Sequence, residues 1–146
     1  MQALKWQLFE ILDVPCADIS YQWVSEQDAY FVIVMHFSKV KEGSTQDLKI
    51  TFGRPIAVQW EEESYGLIEL PDNLPQCSRI EFSNFTYPTL IVTDSSWANL
   101  YASRSYSEEE YKNHNVRHFV FISMNDILHV LSNKEPKYKF IPAKNA

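Results

Sequence analysis

The stretch Tyr30-Phe31-Val32-Ile33-Val34-Met35-His36-Phe37 decides how this chain folds. Its residues are aromatic or β-branched almost throughout, the types that fit a pleated, half-buried backbone. No Gly or Pro interrupts it. Its apolar character is continuous, which predicts a long strand over residues 30–40, buried on both faces or placed centrally. Upstream, Ile19, Tyr21 and Trp23 alternate with Ser20 and Gln22, a second strand joined through a turn at Glu26-Gln27-Asp28. Downstream, a polar loop containing Gly43 leads to Leu48, Ile50 and Phe52, alternating with Lys49 and Thr51. Ile56, Val58 and Trp60 form a further strand, or the same strand resumed after a bulge at Pro55. Strands this close in sequence pair antiparallel and leave no room for crossover helices.

The outer parts of the chain are less uniform. Residues 4–12 fit either a strand or a helical face, and Pro15 ends whichever forms. Residues 70–77 hold two prolines and read as a connection. Residues 79–85 read as a strand with Ile80 and Phe82 on one face, and residues 89–93 as another. Asp94-Ser95-Ser96 is a helix-entry signal followed by Trp97, Leu100 and Tyr101 on one helical face. Residues 103–114 are the most polar segment and read as a surface loop. His118-Phe119-Val120-Phe121-Ile122 is a strand, and Ser123-x-x-Asp126 then opens a helix that runs to Leu131. Residues 138–141 form a closing strand or tail. The expected fold class is α+β, mainly antiparallel sheet from an N-terminal strand meander with short helices in the C-terminal half. At 146 residues this is a single domain spanning 1–146.

Composition narrows the function classes. Aromatic residues make up 14% of the chain, with four Trp, eight Tyr and nine Phe, enough for an aromatic core with rings left over for a binding surface. Three glycines and no glycine-rich phosphate loop argue against nucleotide binding. A net charge of −6 argues against nucleic acid and suits a basic protein partner. No apolar run nears the roughly 18 residues that span a bilayer, and no secretory signal pattern opens the sequence. Cys16 and Cys77 are therefore expected as free thiols in a reducing, cytoplasmic compartment.

Several residues invite chemistry, and each has a structural explanation beside it. His114 and His118 share an H-x3-H spacing, but the strand reading of 118–122 spoils the helical geometry a metal pair needs. His36 is a tuned acid or base if it is buried beside a carboxylate, and otherwise a satisfied sheet histidine. His129 reads as an exposed helical position. Glu61, Glu62 and Glu63 form an acidic patch at a strand end, suited to a basic partner together with Glu69 and Asp72. Ser95 suggests a nucleophile, yet helix capping accounts for it without further assumption, and no G-x-S-x-G elbow is present. No catalytic constellation, metal site or cofactor is expected.

The segment with the most binding character carries Trp97, Tyr101, Arg104, Tyr106 and Tyr111 around Glu108, Glu109 and Glu110. Trp, Tyr and Arg are the residues enriched at interface hot spots. Ordinary amphipathic cover, with Trp97 as a core anchor, is the competing reading. The strand-to-helix run from His118 to Leu131 and the Asp94-Ser95-Ser96-Trp97 entry resemble those of small bacterial α+β proteins grouped with toxin-immunity proteins. That resemblance covers about a quarter of the chain and carries no catalytic residues. It implies a non-enzymatic, cytoplasmic protein-binding domain that covers a partner's active surface. Two alternatives stay open: a small-ligand or enzymatic domain with His36 or Glu61–Glu63 at an aromatic pocket, and a homo-oligomer paired through an exposed strand.

Overall fold

Phe31, Ile33 and Met35 are fully buried while Val32 and Val34 are half-buried, so the decisive stretch is a strand with one dry face rather than two. The computed structural model describes residues 1–8, 13–25, 29–37, 46–104 and 116–143. In it this stretch is β3 (Ala29–His36), paired with β2 (Asp18–Ser25) on one side and β4 (Gln46–Gly53) on the other. The expected meander is present to this point. Past β4 it stops. Arg54 takes a positive φ of 39° and Pro55 has no N–H to continue a ladder, so the chain leaves the sheet. β5 (Ala57–Glu62) is therefore neither a continuation of β4 nor its neighbour. It pairs with β8 (Asp126–Ser132) in a second sheet.

That second sheet also contains β1 (Gln2–Lys5), β6 (Thr89–Thr93) and β7 (Arg117–Ile122), in the order β1-β6-β7-β8-β5. β9 (Lys137–Pro142) closes the first sheet, whose order is β2-β3-β4-β9. Every strand pair is antiparallel. The fold is thus two antiparallel sheets. The α-helical content among the described residues is α1 (Ser96–Ser103), which lies in the C-terminal half, as expected for that segment.

Two expected elements differ. Residues 126–131 are not a helix but β8. Leu128 and Val130 point into the space between the sheets, and Ile127, His129 and Leu131 point out onto a face that is also covered. A strand buried on both faces shows no alternation, and its apolar run mimics a helix segment. Ser123 still performs a capping-type task, accepting from the N–H groups of Asn125 and Asp126, but it tightens the β7–β8 turn. Residues 79–85 hold a 3-10 turn at Ile80–Phe82 instead of a strand, and Ile80 is exposed. Within the turn the backbone bonds run from Phe82 N–H to Arg79 and from Phe85 N–H to Phe82, and the Phe85 carbonyl accepts the Cys77 N–H.

The core lies between the sheets, where Phe31, Ile33, Met35, Leu48, Ile50 and Phe52 meet Phe119, Phe121, Leu128 and Val130. Phe119 stacks edge-on against Trp6 at 5.1 Å and Phe52 at 5.2 Å. On the outer face of the five-stranded sheet, the 70–88 connection lays Cys77, Tyr87, Leu74 and Phe82 over Leu90, Val92 and Val120. α1 covers a further part of that face, with Trp97 against His118 and His129. Cys16 and Cys77 are buried free thiols, and burial pushes the Cys16 thiol up to about 12. No helix among the described residues is long and apolar enough to cross a membrane. Phe119→Ala should lower stability by about 3–5 kcal/mol, as expected for a buried ring removed from a packed core, and a urea titration would show it.

Candidate functional site

The outer face of the five-stranded sheet carries an unbroken line of polar side chains. β7 supplies His118 and β8 supplies His129, set diagonally because His118 pairs with Leu131 and Val120 with His129. β5, the next strand, supplies Glu61. Ser95 stands just ahead of α1. Ser95 Oγ is 2.7 Å from His118 Nδ1, His118 Nε2 is 2.9 Å from His129 Nδ1, and His129 Nε2 is 3.0 Å from Glu61 Oε1. All four residues are buried, both histidines completely. Trp97 of α1 lies edge-on to the two imidazoles, at 5.1 and 5.9 Å.

Donor counting fixes the protons. Glu61 Oε2 accepts N–H bonds from Leu67 at 2.6 Å and Ile68 at 3.1 Å, and with the carboxylate ionised Oε1 accepts as well, from His129. His129 must then donate from Nε2, which leaves its Nδ1 bare when the ring is neutral. His118 donates to that atom from Nε2 and accepts the Ser95 hydroxyl proton at Nδ1. Burial, reinforced by His129, pushes the His118 imidazole down to about 3. Burial also lowers His129, against the opposing charge and hydrogen bond of Glu61. Burial thus favours the neutral form of both rings.

Each end of the line grips a surface element. Glu61 binds the backbone of the turn after β5, and Ser95 Oγ accepts the Ala98 N–H at 3.1 Å as the N-cap of α1. Between the turn and the helix is an open pocket of about 320 Å3, lined by Gln59, Leu67, Ile68, Glu69, Trp97 and Leu100. Leu67 is 85% exposed, and Leu100 is 49% exposed. Ser95 has the partners of a nucleophilic serine, but it is buried and committed to the cap. No carbonyl can approach it. The polar line is scaffolding for the pocket above it.

The residues expected from sequence fall unevenly around this site. Trp97 lines the pocket, Tyr101 stacks on Trp97 at 5.7 Å, and Arg104 is the exposed C-cap of α1. Tyr106, Glu108, Glu109, Glu110, Tyr111 and His114 lie outside the described residues. The three glutamates do not share a surface: Glu62 and Glu63 are exposed, while Glu61 is the buried anchor. Glu69 lines the pocket, and Asp72 lines a neighbouring one that Glu69 shares. Glu63 instead borders a pocket of about 460 Å3 with Phe85 and Met124. His129 is not an exposed helical residue, because it sits on a strand whose outer face α1 covers. His36 stands on the other sheet with Nδ1 2.8 Å from Asp47 Oδ2. Among the described residues no cluster of three metal-ligating side chains occurs. No protein-family model, curated protein or solved structure matches the chain.

Glu61→Ala should strand the His129 N–H and two backbone N–H groups, costing about 3 kcal/mol. Hydrogen exchange at the Leu67 and Ile68 amides should accelerate beyond the global effect. Acid should also destabilise the fold. The unfolded His118 takes a proton near its ordinary value of 6.5, whereas the folded ring resists until about 3. Stability is therefore full above the unfolded value and falls as pH drops through that window. Lowering pH from 7 to 5 should remove about 2 kcal/mol through His118 alone, measured as a drop in the urea midpoint that His118→Gln diminishes.

Proposed function

We propose that this chain is a protein-binding domain that receives a partner's apolar side chain in the pocket between α1 and the turn after β5. The observation that carries the reading is Leu67, 85% exposed yet held by a turn whose backbone is bonded to a buried carboxylate. A large aliphatic side chain displayed on a fixed backbone loses little freedom on binding, which favours affinity. Leu100 and Trp97 face the same space, and Tyr65 is 81% exposed on the same turn. Glu69 lines the pocket, and Glu62 and Glu63 are exposed at the start of the turn. With a net charge of −6, this rim suits a basic partner. The partner-covering role of a cytoplasmic toxin-immunity protein agrees with such a surface.

The test is capture from native lysate by the wild-type chain and by a Leu67→Asp, Leu100→Asp double variant, with mass spectrometry of bound proteins. Both substitutions are at exposed positions and should leave the unfolding midpoint within about 0.5 kcal/mol of wild type. The wild type should retain a basic protein that the variant loses by tenfold or more. Equal capture by both chains would rule the pocket out as the binding surface.

A further inference from the structure

The outer face of the four-stranded sheet carries a second arrangement of serine, histidine and carboxylate, and this one is open. The ladder pairs Asp18 with His36 and places Ser20, Val34, Lys49 and Lys139 in the next cross-strand row. Ser20 Oγ is 3.2 Å from His36 Nε2, and His36 Nδ1 is 2.8 Å from Asp47 Oδ2. Asp47 is 1% exposed, and its other oxygen accepts the Phe37 N–H at 3.2 Å. The carboxylate is thereby fixed, which orients the ring, and the ring presents its second nitrogen to an exposed hydroxyl. Base within reach of nucleophile, and base held by a third group, is the geometry that activates a serine.

We propose that Ser20, His36 and Asp47 form a nucleophilic serine site that accepts the acyl group of carboxylic esters. With His36 neutral, Asp47 takes the Nδ1–H bond and leaves Nε2 bare. Ser20 Oγ attacks the ester carbonyl, and its proton passes to His36 Nε2. As the tetrahedral adduct collapses, the carbon–oxygen bond to the leaving alcohol breaks, and the alcohol oxygen takes that proton. Water then repeats the sequence: it attacks the acyl carbon, gives its proton to Nε2, and Ser20 leaves and recovers it.

One further feature supports the site. β2 is an edge strand with β3 as its sheet partner among the described residues, so one flank of Ser20 has no neighbouring strand in the sheet.

The experiment uses the full chain and a fluorophosphonate, which labels activated serines and leaves lysines untouched. One adduct per chain should form, mapping to Ser20 by peptide mass spectrometry. Ser20→Ala should abolish it, and His36→Gln should slow it by about 100-fold or more, with unfolding midpoints confirming that both variants fold. Hydrolysis of 4-nitrophenyl acetate should be measurable with the wild-type chain and lost in Ser20→Ala. No adduct, an adduct elsewhere, or labelling of Ser20 that His36→Gln leaves unchanged would overturn the site. The Leu67→Asp, Leu100→Asp variant should label normally, which separates this site from the partner pocket.

Discussion

A buried negative charge must find its hydrogen bonds inside the protein, and Glu61 does so in three directions. It takes one bond from His129 and two from the backbone of the turn that follows its own strand. Leaving such a group unpaired in a dry site costs several times what a paired one contributes. The same demand passes along the line, since each neutral imidazole needs both a donor and an acceptor. It ends at Ser95, whose hydroxyl accepts from one element and donates to another. Sheet, turn and helix are thus joined by a single chain of obligations. No buried side-chain nitrogen or oxygen among the described residues is left without a partner.

The two serine–histidine–carboxylate arrangements show how burial separates structure from chemistry. Ser95 and Ser20 have comparable partners. Ser95 lies beneath a helix cap and behind Trp97, where its hydroxyl is a structural bond. Ser20 is on an exposed sheet face, where its hydroxyl meets solvent and anything dissolved in it. The distinguishing quantity is access, not distance. The helix that covers Ser95 also walls the pocket above it, with Trp97 and Leu100 on its lining.

Alternation made the first sheet legible. Ile19 to Trp23 and Leu48 to Phe52 each show one wet face, and those strands form as read. Thr89 to Thr93 and the Ser95 cap were equally clear, because both depend on local signals. The second sheet was harder. β8 is covered on both sides, and no period in Ile127-Leu128-His129-Val130-Leu131 distinguishes strand from helix. The course of β5 was hidden for another reason. Its partner, β8, lies some seventy residues downstream, and a local pattern cannot report a distant pairing. The polar line followed from these two errors, since His129 reads as surface on a helix and Glu61 reads as surface among three glutamates. One signal was available: a histidine inside a run apolar on both faces has nowhere wet to point, so it must have a partner. Asp47 was missed beside His36 because the register between β3 and β4 depends on the loop between them.

The strand pairing has a consequence for how the chain is assembled. Gln2 meets Thr93, Gln46 meets Pro142, and Glu62 meets Asp126. Among the described residues, three of the seven pairings therefore wait for segments made much later on the ribosome, and long loops must close before those contacts return any stability. During that interval β3 and β4 expose Phe31, Ile33, Leu48 and Phe52 with no opposing sheet to cover them. Folding of this chain should be slow for its size, and the nascent protein is most in need of a chaperone before β7 and β8 emerge to cover that face.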